Sequence, residues 1–269
     1  MAFYSTPGVI ISRLRGWVYV IFWSLSFYPQ PILNFQLKST EGFSIDFATL
    51  NVLGLISYAV ANGMLLFSPT VRMQYAGRHP SSPEPSVRFN DFAYALHGAV
   101  MIYSQFWPVV WGFRSKQRTS HVTLWIFWSC FFLIFRSVIF VFLSHDIRIK
   151  FTWDWLDVVY TLGSLKIFLT IIKYIPQVWR NYQRRSTEGF SVAQIMLDFG
   201  GGCLSIVQLV IDSSLQTDWS GITGNPAKLA LGNVTMLFDV IFLAQNFVLY
   251  RQDKSKNELP SDERDPLLE

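Results

Sequence analysis

The segment FYPQPILNFQLKSTEGFSIDFATLN, residues 27–51, recurs without a gap as YIPQVWRNYQRRSTEGFSVAQIMLD, residues 174–198, displaced by 147 positions. Pro29 falls on Pro176, Gln30 on Gln177, Asn34 on Asn181, and the run STEGFS at 39–44 on the same run at 186–191. A match of this length, with the same turn and amide residues in register, marks two copies of one structural unit. Any fold for this chain must therefore place these groups twice, in two related environments.

Each copy starts inside a long apolar run. Hydrophobic residues make up 51% of the 269 and charged residues only 15%, against about 25% charged in a soluble domain. Ten of the charges fall in the last nineteen residues, so the body is poorer still. A membrane span needs about 20 mostly apolar residues. Seven such runs are legible, at roughly 17–36, 46–68, 90–113, 121–143, 155–178, 190–212 and 227–250. Backbone groups cannot stay unpaired in lipid, so these runs are expected as helices of an all-α polytopic membrane protein.

The repeats begin in the first and fifth runs, which gives two three-helix bundles joined by a linker helix. Residues 1–113 form the first unit, 114–150 the linker helix and its loops, 151–250 the second unit, and 251–269 a polar, Pro-containing tail expected to be disordered. Four crossings separate the copies, so the two bundles run parallel and a substrate site is expected between them near the midplane. With the N-terminus luminal and the C-terminus cytosolic, eleven Lys or Arg fall on the cytosolic side and eight on the other, a small excess in the expected sense. Glu263, Leu267 and Leu268 form an acidic dileucine pattern that cytosolic coat adaptors read, or a chance pattern in a charged tail. The start lacks a basic end, apolar core and small-residue cleavage site, so no removable signal peptide is expected.

Cys130 and Cys203 both lie in apolar runs with no CxxC or Cys/His ligand spacing, so neither a disulfide framework nor a metal or other cofactor is expected. The basic residues are scattered among short loops, which argues against a nucleic-acid surface. No nucleophile triad, GxSxG or HExxH pattern is present, and an enzyme is not expected.

Ionisable groups inside a span are costly and mark candidate functional sites. Lys166, Thr170, Lys173, Gln177 and Asn181 form one helical stripe of the fifth run, and the repeat sets Trp23, Phe27, Gln30 and Asn34 opposite Thr170, Tyr174, Gln177 and Asn181. Asp198 lies eight residues into the sixth run, and its partner in the repeat is Asn51, of the same shape but unable to titrate. Such a carboxylate exchanges protons between an acidic and a neutral compartment, or forms a permanent ion pair that fixes packing. Asp91 with Tyr94 and His97, and Lys228, Thr235, Asp239 and Asn246 on one face of the seventh run, are proton relays or structural seams. Pro29 and Pro176 each free a carbonyl four residues back, producing a gating bend or a fixed kink. Glycines 200–202 permit close packing or a bend beside Asp198. Arg136, mid-span in the linker, pairs with an acid across helices or snorkels.

Two Pro-Gln dipeptides, each at the end of the first helix of a three-helix repeat, resemble the PQ-loop family of SWEET-like architecture. Together with SFYPQ (26–30), IDF (45–47), NDFAYALH (90–97), KYIPQ (173–177), RSTEGFS (185–191), LDFGGG (197–202) and FDVIFLAQNFVLYR (238–251), the chain is similar to the family's branch of proton-coupled cystine exporters of lysosomal and vacuolar membranes. That resemblance implies L-cystine and protons as partners within the lipid bilayer. It implies proton coupling at Asp198, with Asp91 and Asp239 as further titratable sites, and gating at Pro29, Gln30, Pro176 and Gln177. It implies substrate contacts from Trp23, Phe27, Asn51, Lys166, Tyr174, Asn181, Gln194, Asp198 and Lys228; Gln194 stands where the family carries Asn. Cystine carries two ammonium and two carboxylate groups, so buried charges of both signs suit it. A carrier of cationic amino acids, separable by proton-independent lysine or arginine uptake, and a non-transporting scaffold or receptor, indifferent to Asp198→Asn, are the alternatives.

Overall fold

The structure, a computed structural model, describes residues 21–80, 83–85, 87, 89–104, 117–146, 153–215 and 226–250. Residues 21–26 are helical and lead into α1 (Pro29–Leu37). Then follow α2 (Ile45–Phe67), α3 (Pro69–Arg78), α4 (Phe89–Tyr103), α5 (His121–Asp146), α6 (Trp155–Ile172), α7 (Tyr174–Arg184), α8 (Val192–Leu215) and α9 (Pro226–Ala244), which ends in a π-helical turn at Gln245–Leu249. The described residues are helices and turns with a single isolated bridge residue, as the apolar runs require. The candidate sorting residues Glu263, Leu267 and Leu268 lie outside the described residues.

Among the described residues, three helical stretches are long and apolar enough to cross a membrane: Ile45–Phe67, His121–Ser144 and Trp155–Arg184. The third joins α6 and α7. Val192–Leu204 and Asn233–Leu249 are shorter apolar helices. Only 11% of the apolar window in α5 is buried inside the protein, against 44% in α2. α5 instead presents Trp125, Trp128, Phe132, Phe135 and Phe142 outward, a face too apolar for water and suited to hydrocarbon. α2 is the central helix, packed on α4 of its own unit and on α6 of the other, while α5 lies against α6. The principal apolar cluster draws on both units, with Phe27, Phe43, Phe47 and Leu55 from the first and Tyr174, Phe190, Ile195 and Phe242 from the second.

The prolines do what their chemistry dictates. Pro29 has no N–H for the Leu25 carbonyl, which accepts the Tyr28 N–H at 3.2 Å instead; α1 then starts with proline in its first turn, where that N–H has no helical partner to lose. In the second unit the break falls at Lys173, between α6 and α7. Its backbone stays helical at φ −58°, ψ −30°, so the chain is kinked there rather than unwound.

Both copies then stop in the same way. Lys38 and Arg185, 147 residues apart, are the non-glycine residues with positive φ among those described, at 46° and 47°. Each N–H, and the next one, bonds back to the last turn: Ser39 to Asn34 at 3.2 Å and Ser186 to Asn181 at 3.3 Å. This is the left-handed helix stop, and it aims both STEGFS loops at the space between the units. Ser44 caps α2 by accepting the Phe47 N–H at 3.3 Å, and Ser191 holds Gln194 N–H alike in the second copy.

One helix was not legible as a span. α3 is a ten-residue piece that begins at Ser68–Pro69, with the Ser68 hydroxyl accepting from Val71 N–H at 3.4 Å. Its last residue, Arg78, reaches the first turn of α6, where Asp157 takes both guanidinium nitrogens at 2.6 and 2.7 Å and Asp154 a third contact at 2.9 Å. The Ser-Pro start was the available signal.

Candidate functional site

The two loops and the two Pro-Gln motifs interlock across the molecule. Gln30 donates to the Gly189 carbonyl at 2.9 Å and accepts the Ser191 N–H at 2.7 Å. Gln177 makes the mirror set, donating to the Gly42 carbonyl at 3.2 Å and accepting the Ser44 N–H at 2.6 Å. Each glutamine also donates to the asparagine one turn on, Gln30 to Asn34 and Gln177 to Asn181, both at 2.8 Å. All four amides are fully buried. Every motif glutamine thus bridges its own helix to the other unit's loop.

Gly42 and Gly189 meet at the centre of this closure, where a Cβ on either would sit inside the other's backbone; Gly189 also has φ +78°. Arg180 donates to the Glu41 carbonyl from two nitrogens, and Arg184 bonds the Glu188 carbonyl at 3.0 Å. The flanking support differs between copies. Gln117 donates to Thr40 and Phe43 carbonyls at 2.6 and 2.9 Å in the first, whereas Gln245 and Asn246 of the π-helical turn take Asn181 at 2.9 Å and Thr187 at 2.8 Å in the second. Gln117, Gln245 and the STEGFS loops were not singled out as site residues, since nothing local announces a partner more than 60 residues away.

Behind the closure lies an aromatic layer. Tyr174 stacks on Phe238 at 5.0 Å and meets Phe47 at 5.7 Å and Phe242 at 6.0 Å. Its counterpart Phe27 packs on Tyr94 at 5.5 Å and on His97 at 6.0 Å. Tyr28 hydroxyl and His97 Nε2 are 2.9 Å apart.

Beyond this layer the ionisable groups converge. Lys173 donates to Asn51 Oδ1 at 3.0 Å and lies 4.6 Å over the Tyr174 ring. Lys173, Lys166 and Asp239 lie close enough to Asp198 for their charges to act on it. Lys166 also lies 5.9 Å over the Tyr58 ring. Lys166, Lys173 and Asp198 are half-buried, and no Lys–carboxylate pair among them closes to ion-pair distance. Asp198 and Asn51, equivalent in the repeat, thus both act on Lys173 from opposite units, one able to titrate and one not.

Several buried polar atoms here have no hydrogen-bond partner among the described residues: both Asp239 oxygens, Gln194 Oε1 and Thr170 Oγ1. Each such atom costs about 1–3 kcal/mol, a deficit that water, a proton or a zwitterionic ligand offsets. The set has donors and acceptors for an amino acid. Among the described residues no group of His, Cys, Asp and Glu is arranged to hold a metal.

Asn181, expected beside the charged groups, lies in the closure instead. Eight residues of helix separate it from Lys173, about 12 Å along the axis, so both cannot hold one small ligand head. Asp91 sits in the first turn of α4, away from the PQ end. Lys228 belongs to α9, its side chain outside the described residues. Trp23 lies against Gly201, where a Cβ would come within 2.6 Å of the indole. α8 runs unbroken through glycines 200–202, with Gly201 packed against Trp23 and Gly202 against Met236.

The PQ loop repeat family matches residues 11–70 and 158–218, each stretch containing one copy of the internal repeat. A cystinosin homolog of Dictyostelium discoideum is 38% identical over 92% of this chain and 84% of its own length. Cystinosin of Bos taurus is 33% identical over 96% of the chain and 68% of its own length, and a cystine transporter of Saccharomyces cerevisiae is 33% identical over 89% and 94%. The chain spans 58% of the length of the matched Caenorhabditis briggsae cystinosin homolog.

Proposed function

We propose, from the premise that this chain belongs to the cystinosin family of PQ-loop membrane proteins, that it exports L-cystine from the lysosomal or vacuolar lumen to the cytosol, driven by protons. Its relatives are named as transporters, and it is not an enzyme. Seven helices carry the two parallel bundles and their linker, with the N-terminus luminal and the C-terminus cytosolic.

The observation that carries this reading is the charge cluster between the units: Lys166, Lys173, Asp198 and Asp239 around the half-buried centre, with Asn51 on the opposing helix. Cystine presents two ammonium and two carboxylate groups. The lysines receive carboxylates and Asn51 supplies an amide. Asp198 alternates between ammonium partner and proton acceptor. Cystine has no net charge, so the proton that rides with it couples export to an acidic lumen. Asp239 and Asp91 relay that proton, and Trp23, Phe27, Tyr174, Gln194 and Lys228 complete the pocket.

The closure at the PQ end supports alternating access. With Gln30 and Gln177 tied across to the opposite loops, the cluster is shut off from that end, which is cytosolic in this topology. Release requires both cross-ties to part, with Pro29 and Pro176 as the bending points. Two lysines in the pocket disfavour a cationic amino acid as cargo.

The test is uptake of labelled cystine into cells or liposomes facing an acidic exterior that mimics the lumen, with and without the pH gradient. Saturable, gradient-stimulated flux that falls at least tenfold in Asp198→Asn is the expected result. Well-folded protein that carries lysine or arginine but no cystine refutes the substrate, and cystine flux indifferent to the gradient refutes the coupling.

A further inference from the structure

Arg136 sits near the middle of α5, and a second feature lies beside it. A cavity of about 650 Å³ between α5 and α6 is lined by Arg136 together with Leu133, Ser137, Thr161, Leu165 and Phe168. None of the charge-cluster residues lines it. Arg136, Leu133 and Phe168 are themselves exposed, so the cavity opens on the outer, apolar side of the molecule. That is the side α5 turns toward hydrocarbon.

A guanidinium at this depth needs an anion. Its neighbour Ser137 accepts the Trp153 indole N–H at 3.3 Å, just ahead of the first turn of α6, so the cleft runs from the end of the bundle where α6 begins down to Phe168. The Arg136 charge lies 5.5 Å over the Phe140 ring, and among the described residues no carboxylate is within ion-pair distance. Asp157 also lines the cavity, but Arg78 holds both its oxygens at 2.6 and 2.7 Å and the Asp154 N–H takes a further 2.8 Å contact. The polar wall beyond Arg136 is made of hydroxyls, with Ser137 and Thr161 3.2 Å apart.

We propose that this cleft binds one acidic phospholipid, its phosphate on Arg136 and an acyl chain along Leu133, Leu165 and Phe168. A lipid reaches the cleft laterally from the bilayer, whereas a free anion would have to cross hydrocarbon. An acidic headgroup fits better than a choline, because a quaternary ammonium would bring a second cation beside Arg136 with Asp157 already engaged by Arg78.

The purified full chain, examined by native mass spectrometry in detergent with dioleoylphosphatidylglycerol or dioleoylphosphatidylcholine, tests this. Wild type should retain one phosphatidylglycerol at least fivefold more tightly than phosphatidylcholine. Arg136→Gln should bring the two within twofold of each other while melting normally without lipid. Ser164 also lines the cleft; Ser164→Phe narrows it without touching the charge and should weaken retention of both lipids. Equal retention by wild type, or a preference that survives Arg136→Gln, overturns the assignment. Should Arg136→Gln fail to fold, unchanged phosphatidylglycerol retention in Ser164→Phe overturns it. Displacement of the lipid by millimolar inorganic phosphate would show a plain anion site instead and overturn the lipid as occupant.

Discussion

Gln177→Met replaces a fully buried amide by a side chain of similar length that cannot hydrogen-bond its neighbours. The glutamine donates to Gly42 carbonyl and Asn181 Oδ1 and accepts the Ser44 N–H at 2.6 Å. Two of these three bonds cross between the units. The Gly42 carbonyl contact is worth about 0.5–1.5 kcal/mol, and leaving the Ser44 N–H buried and unpaired costs about 1–3 kcal/mol. Together the closed form loses roughly 2–4 kcal/mol relative to any form in which the loops are apart and hydrated. At about 1.4 kcal/mol per tenfold, the closed-to-open ratio should fall roughly 30- to 1000-fold. Spin labels at Glu41→Cys and Glu188→Cys, on exposed side chains beside the glycine contact, report the separation by double electron–electron resonance once Cys130 and Cys203 are replaced by Ala. Wild type should give one dominant short distance and Gln177→Met a longer, broader population; Gln30→Met should do the same, because it breaks the mirror pair at Gly189 and Ser191. An unchanged distance distribution combined with a lowered melting temperature would refute the reasoning, since the cross-ties would then be fold contacts present in every state.

Three further outcomes follow from other parts of the structure. Gly201→Val sets a branched side chain where even a Cβ meets the Trp23 indole at 2.6 Å, so thermal stability in detergent should fall by about 1–3 kcal/mol, the usual range for overpacking; an unshifted melt would mean Trp23 is not seated there. Asp239→Asn keeps the shape of a buried side chain whose oxygens have no donor among the described residues, so the melting temperature should hold while gradient-driven cystine flux drops at least tenfold; retained flux would remove Asp239 from the relay. Arg78→Ala breaks the contacts to Asp154 and Asp157, but Arg78 and Asp154 are each about a third exposed, at 34% and 39%, so solvent screening holds the loss below about 1 kcal/mol, and a larger drop would show the tether of α3 to α6 to be structural.

Much of this arrangement was legible before any coordinates. The helix stops at Lys38 and Arg185 fall on the 147-residue offset of the repeat, because a left-handed stop depends on the local run alone. The equivalence of Asp198 and Asn51 was readable from the repeat, and the shared face of Lys166 and Lys173 from helical spacing, since charged residues in apolar runs are few. Asn181 was placed on the same stripe and lies in the closure, because a stripe fixes a face and leaves depth open. The close contacts of the glycines after Asp198 were not readable in sequence, since they depend on Trp23 and Met236 from other helices. α3 was missed because ten amphipathic residues make no span.

Amino-acid order alone determined that there are two like units, that each carries one Pro-Gln motif and one STEGFS loop, and which apolar runs become helices. These are properties of short-range chemistry: proline lacks an N–H, serine caps, and backbone without water must bond to itself. Tertiary structure alone decided that each glutamine serves the other unit's loop, across 133 and 161 residues of chain. A glutamine side chain donates to any carbonyl and accepts from any N–H of suitable geometry, so its own sequence names no partner. Only the crossing of the two units, with Gly42 against Gly189, brings those groups within reach.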